Sequence, residues 1–264
     1  MKTLLTYFII VIFISACGTT PKQTPPTPAE SSTTAVTSSA QLRAPDWFEK
    51  GFALHELGRY EAAIESYDKA LAIKPDYHEA WTNRGAALAD LDRHQAAIEN
   101  YDKALAIKPD LYQAWNNRGL ALAKSGRYET AIESWDKALA IKPDYHEAWN
   151  NRGLVLVKSG RYEAAIESFD KALAIKPDYH DAWYNRGVTL AGLNHYEAAI
   201  ESFDKALAIK PDDHQTWYNR GIALAKSGRY QAAIESYDKA LAIKPDDELA
   251  RNNRKIALEK LNNR

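Results

Sequence analysis

Six prolines, Pro75, Pro109, Pro143, Pro177, Pro211 and Pro245, follow one another at intervals of 34 residues with no insertion between them. A period so strict means stacked, equivalent units, because a unit of this length cannot bury its own apolar face and must use its neighbours. The unit at 112–145 reads YQAWNNRGLALAKSGRYETAIESWDKALAIKPDY. In its first half Trp115, Gly119, Leu122 and Ala123 fall at helical spacing, and in its second half Ala131, Ile132, Trp135, Ala138, Leu139 and Ile141 do so again. Two amphipathic helices therefore follow each other in every unit. Gly126 between them supplies the left-handed backbone that a tight helix end requires, with Gly58, Gly160 and Gly228 in equivalent places and Asp92 and Asn194 as substitutes. Pro143 stops one unit, and Asp144 is placed to cap the next; 76–79 and 144–147 have the spacing of a capping box.

This pattern resembles the tetratricopeptide repeat. The family's aromatic is Trp115, its glycine Gly119, its first small residue Ala131, its large aromatic Trp135, its second small residue Ala138 and its closing proline Pro143. The same set recurs as Trp81, Gly85, Ala97, Tyr101, Ala104 and Pro109, and again in the units ending at Pro177, Pro211 and Pro245. The resemblance implies an all-α, right-handed superhelical solenoid of six helix-turn-helix units at 44–77, 78–111, 112–145, 146–179, 180–213 and 214–247. The segment 248–264 departs from the repeat, with Arg251 for the aromatic and Lys255 for the glycine, while Ala250, Ile256, Leu258 and Leu261 keep an apolar stripe. It is expected to be a solvating cap helix. The first unit departs as well, with Glu49-Lys50 for Asn-Arg and with Phe48 and Phe52 as unusual apolar residues. A further departure runs through the array. Where the family usually has leucine before its glycine, this chain has Arg84, Arg118, Arg152, Arg186 and Arg220, expected to pack their stems and pair with fixed acids such as Asp102 or Glu133.

Ahead of the repeats, Met1 and Lys2 precede an almost wholly apolar run from Leu4 to Ile14. Eleven helical residues rise about 16 Å, short of the ~30 Å hydrocarbon core, so a cleaved leader at 1–16 fits better than a permanent span. Ile14-Ser15-Ala16-Cys17 resembles the bacterial lipobox, which implies diacylation of Cys17 and a lipid anchor on the extracytoplasmic side of a bacterial envelope. Gly18 in place of aspartate favours the outer membrane where the cell has one. From Cys17 to Ala44 the chain turns to runs such as Thr24-Pro25-Pro26-Thr27-Pro28, expected to form a disordered tether averaging about 28 Å end to end.

Composition narrows the chemistry. Basic and acidic residues number 34 and 35, so no excess of positive charge draws the chain to nucleic acid. A single cysteine excludes an internal disulfide. His78, His146, His180 and His214 recur at multiples of the repeat, too far apart to share a metal ion held at ~2 Å, and are expected on helix surfaces near the caps. Phosphate loops, Gly-x-Ser-x-Gly turns and Cys-His pairings are missing, so neither an enzyme nor a cofactor is expected.

In the family the first helix of each unit lines a concave groove. Carried onto this sequence, its positions are Gln113, Asn116, Asn117, Leu120 and Lys124, then Glu147, Asn150, Asn151, Leu154 and Lys158. Asp181, Tyr184, Asn185 and Val188 follow, then Gln215, Tyr218, Asn219, Ile222 and Lys226. Asparagines among aliphatics and lysines suit an extended peptide or a protein segment, since amides satisfy both backbone donors and acceptors. The same asparagines could equally brace adjacent helices. The function expected is that of a membrane-anchored scaffold that recruits partner proteins to envelope complexes; the alternative is a self-associating structural spacer.

Overall fold

The computed structural model describes residues 42–263. The expected leader, the lipid site Cys17 and the tether as far as residue 41 lie outside the described residues. Thirteen α-helices and no strand occur among the described residues. Up to Pro143 they are α1 (Ala44–Glu56), α2 (Tyr60–Ile73), α3 (His78–Asp90), α4 (His94–Ile107), α5 (Tyr112–Lys124) and α6 (Tyr128–Ile141). From Asp144 a second compact unit holds α7 (His146–Lys158), α8 (Tyr162–Ile175), α9 (His180–Gly192), α10 (Tyr196–Ile209), α11 (His214–Lys226), α12 (Tyr230–Ile243) and α13 (Glu248–Asn262). Within each unit, every odd-numbered helix that starts a repeat packs against the even-numbered helix after it, and successive first helices also touch.

The hairpins close because glycine meets an aromatic ring. The side chains of Tyr67, Tyr101, Trp135, Phe169, Phe203 and Tyr237, one on each second helix, are almost wholly buried. Each ring lies where the first helix of its own repeat has glycine. A Cβ added at Gly153 would stand 2.5 Å from Cε1 of Phe169, and one at Gly119 would stand 2.8 Å from Cε2 of Trp135. Such close approach lets each ring bury an area worth roughly 2–3 kcal/mol without leaving a void. Trp135 is the one indole in this row, and its Nε1 donates to Oδ1 of Asn116 at 3.0 Å.

The turns between paired helices follow the expected geometry. Gly126 has φ of 76°, and the N–H of Arg127 donates to the carbonyl of Leu122 at 2.9 Å, closing the helix end. Asp92 and Asn194 adopt the same left-handed backbone at φ 56° and 62°. The first helix starts at Ala44, which is already buried; Asp46 accepts from the backbone N–H of Arg43 at 2.8 Å and fixes the first turn.

Two expectations about helix ends need correction. Asp76 and Asp144 do not cap, and the capping boxes do not form, because each helix starts two residues later. The capping positions are taken by Tyr77, Leu111, Tyr145 and Tyr179, none of which makes a side-chain capping bond; Tyr77, Leu111 and Tyr145 are buried, and the bodies of Tyr77 and Leu111 pack into the junction with the repeat before. Side-chain caps occur where that residue is aspartate: Asp213 accepts from the N–H of Thr216 and Asp247 from that of Ala250. In α13 the buried residues are Ala250 and Ala257, with Leu261 packed against the core, whereas Ile256 and Leu258 face outward. Ala250 and Leu261 thus keep the expected stripe, while Ala257 takes the inward place expected of Ile256 and Leu258.

Candidate functional site

The face expected to bind partners lies on the first helices, and its chemistry is set by what those helices need in order to stack. Most of the expected groove residues are turned into the stack. Asn116, Asn117, Asn150, Leu154, Tyr184, Asn185, Val188, Tyr218, Asn219 and Ile222 are buried, and Leu120 and Asn151 are half-buried. From Asp144 onward the polar ones bond from each repeat to the next. Asn185 Nδ2 donates to Asn150 Oδ1 at 3.2 Å, Asn219 Nδ2 to the hydroxyl of Tyr184 at 2.9 Å, and Asn253 Nδ2 to that of Tyr218 at 3.1 Å. These amides and phenols act as braces. Phe48 is likewise core, closed in by Tyr67 and Tyr77, which leaves it unavailable to a partner.

The arginine row forms a second seam. Arg118 Nε donates to Asp102 at 2.6 Å on the preceding repeat, its Nη1 donates to Ser134 at 2.7 Å on its own, and its guanidinium lies 5.7 Å from the Trp115 ring centroid. Arg186 with Asp170 and Ser202, and Arg220 with Asp204 and Ser236, repeat it. Asp102 is thus the partner expected from sequence, while the second contact is serine rather than Glu133, which lies one residue off the facing side. The outer indoles tie back to the turn before them, with Trp81, Trp115, Trp183 and Trp217 each donating Nε1 to the carbonyl of the preceding proline at 2.8–2.9 Å. In the cap Arg251 makes the same bond to Pro245 at 2.8 Å, so one arginine replaces the indole.

The histidines are not free surface groups. His180 has Nδ1 3.0 Å from Asp181 and Nε2 3.3 Å from Asp213, and its ring lies parallel to that of Tyr184. Burial alone would lower its pKa, but the two carboxylates outweigh burial and hold it up at about 9. Asp213 is opposed by burial in turn, yet His180 and Thr216 hold it down at about 2. His214 Nε2 reaches Asp247 at 2.6 Å in the same manner. Sequence reasoning missed these links; the signal was the change from Asp-Tyr to Asp-Asp at 212–213 and 246–247. Among the described residues no three His, Cys, Asp or Glu side chains are grouped to hold a metal, and no helix is long and apolar enough to cross a membrane.

Beside half-buried Leu120 and Asn151, what remains accessible among the expected groove residues lies at the two ends of the first helices. At the N-terminal end Gln113, Glu147, Asp181 and Gln215 are half-buried; at the C-terminal end Lys124, Lys158 and Lys226 are exposed in the last turns of α5, α7 and α11.

Comparison with known proteins bears on this layout. A family model described as "Tetratricopeptide repeat" matches 116–180, 151–214 and 184–248, which together span half of the chain. A second model of that description matches 78–111, and one described as "TPR repeat" matches 51–92. No curated protein matches the sequence. Among solved structures, PilW, described as a widely conserved type IV pilus biogenesis factor, superposes with a TM-score of 0.68 at 24% identity over 81% of this chain and 98% of its own. PilF of Pseudomonas aeruginosa gives 0.68 at 20% identity over 79% and 95%. YrrB, described as a TPR protein with an unusual peptide-binding site, gives 0.64 at 24% identity over 73% and 99%. At these identities the likeness speaks for the fold. With the repeat geometry and the family match together, the chain belongs to the tetratricopeptide repeat family.

Proposed function

We propose that this chain is a non-catalytic adaptor, held by a lipid at Cys17 on the extracytoplasmic side of a bacterial envelope, that captures a partner protein along its first helices. One observation carries the reading. The glycines, the second-helix alanines and the row Asn117, Asn151, Asn185 and Asn219 are copied from repeat to repeat, while the accessible ends of the first helices are not. Their C-terminal ends run Asp90, Lys124, Lys158, Gly192, Lys226, and their N-terminal ends Glu79, Gln113, Glu147, Asp181, Gln215. Stacking alone gives no reason for that variation, whereas a partner segment crossing the helices would read it position by position.

Burial of Tyr184, Tyr218 and the asparagines moves the binding chemistry outward, to lysines on one side and to amides and carboxylates on the other. An extended segment with acidic residues toward the lysine side suits this arrangement, and its capture should weaken with salt. The outer-membrane placement rests on Gly18, and a role in assembling envelope complexes draws support from the similarity in fold to PilW and PilF.

The test is capture from an envelope extract by the repeat array, compared with a Lys124→Glu, Lys158→Glu, Lys226→Glu variant. These exposed changes leave the braces intact. Specific proteins retained by the parent and lost by the folded variant support the reading; identical retention by both refutes it.

A further inference from the structure

The two ends of the array carry faces that the repeat register builds for stacking but that no neighbour among the described residues covers. In internal repeats, the third, sixth and tenth residues of the first helix pack on the repeat before. Ala80, Ala114 and Ala182, then Asn185 and Asn219, then Ala87, Ala121 and Ala223 are all buried. On α1 the same positions are Asp46, Glu49 and Ala53; Glu49 and Ala53 are exposed, and Leu57 beyond them is 73% exposed, while its counterparts Leu91 and Leu193 are half-buried. On α13 the positions that would meet a following helix are Arg251, Lys255, Ile256 and Leu258, all exposed; Ile256 is 37% and Leu258 41% exposed, against 3% for Ile222 and 0% for Leu224 at the equivalent internal places.

The two faces are complementary. The head carries the acid Glu49 beside Ala53 and Leu57; the tail carries the bases Arg251 and Lys255 beside Ile256 and Leu258. Among the described residues neither Glu49 nor Lys255 takes part in an ion pair, and Asp46 on the head is already matched by Arg43. Lys255 stands where internal repeats need glycine to admit a buried ring, so α13 cannot be followed by another hairpin of the same kind. A single helix can still lie across it.

We infer that the partner for both faces is a second copy of this chain, with α13 of one copy packing on α1 of the next. The contact joins two different surfaces, so it repeats from copy to copy, into chains or rings, and does not form the two-fold dimer of a self-complementary patch. One helix against one helix falls below the usual size of a stable interface, about 800 Å² per partner, so association is weak and depends on concentration. The inference is independent of the partner-capture reading, because neither face includes Lys124, Lys158 or Lys226.

Sedimentation equilibrium of the full chain over a concentration series tests it. The weight-average mass of the parent should rise with concentration without a plateau at the dimer. Glu49→Lys and Lys255→Glu should each weaken association roughly tenfold, since each reversal turns an attraction into a repulsion. An equimolar mixture of the two variants, and the double variant in one chain, should regain the parent's behaviour. Both positions are exposed, and an unchanged helical spectrum confirms that the variants are folded. A parent that stays monomeric, a plateau at the dimer, or reversals that associate like the parent would each overturn the inference; the last would place the contact elsewhere, including the apolar run at 4–14.

Discussion

The hydroxyl of Tyr184 accepts a hydrogen bond from Asn219 Nδ2, 2.9 Å away on the next repeat, with both side chains buried. The pair converts two residues that look like binding-surface groups into a joint between α9 and α11. Removing the hydroxyl leaves the Asn219 amide buried with one donor unmatched, a loss of about 1–3 kcal/mol. Tyr184→Phe should therefore lower the denaturant midpoint, and Asn219→Ala should do the same. The double variant should lose less than the sum, as a double-mutant cycle on urea unfolding would show. Additive losses would mean that the two side chains do not share a bond.

Glycine in the first helix is required by the facing ring. Gly153→Ala would set a methyl 2.5 Å from Cε1 of Phe169, and the helix has to move or the ring has to leave its rotamer. A cost of about 1–3 kcal/mol is expected, despite alanine's better helix propensity. In a Phe169→Leu background the same substitution should cost much less, because the clash is relieved. Thermal unfolding of the four proteins checks both statements.

The His180 clamp makes stability depend on pH in a defined window. His180 has a pKa near 9 in the folded chain against 6.5 for an unperturbed imidazole. Its contribution is therefore complete below about pH 6.5 and is lost as pH rises through 9. The facing groups are Asp181 and Asp213, with Lys210 acting on Asp213. Asp213 works in the opposite sense: its pKa near 2 lies below the ordinary 3.8, so its contribution is complete above that value and fades as pH falls toward 2. His180→Gln should flatten the decline of the melting temperature between pH 6.5 and 9 relative to the parent. A parallel decline in both proteins would remove His180 from the account.

The proposed lipid attachment depends on one sulfur atom, that of Cys17. Metabolic labelling with a fatty-acid analogue should mark the parent in a bacterial host and leave Cys17→Ser unlabelled and unprocessed. Equal labelling of both would remove the anchor from the proposed function.

The hairpin architecture was legible because each repeat presents the same evidence six times: helical spacing, a left-handed turn residue and a closing proline. Gly126 and its substitutes Asp92 and Asn194 took the backbone expected of them. Helix starts were less legible, since Asp76 and Tyr77 are both plausible boundary residues. The choice between them depends on tertiary burial of the tyrosine, which spacing alone does not reveal. The same limit applies at the expected groove. Asn150 and Lys158 are both polar residues on the first helix, yet Asn150 is buried and Lys158 exposed. That difference follows from the packing of one first helix on the next, a distance of 34 residues along the chain, and the polar character of a single position does not encode it. Tyr184 and Asn219 could have been paired from sequence only by asking which side chains lie 35 residues apart.

In the proposed function, partners engage the accessible ends of the first helices. This engagement is tested most directly by a photo-crosslinking amino acid placed singly at Gln113, Lys124, Gln215 and Lys226, and at Glu65, Glu99 and Glu201 on second helices. All seven sites are exposed or half-buried and none braces the stack. Illumination in the native envelope should yield a discrete adduct with a partner protein from the first-helix sites and none from the second-helix sites. Adducts confined to the second-helix sites would contradict it.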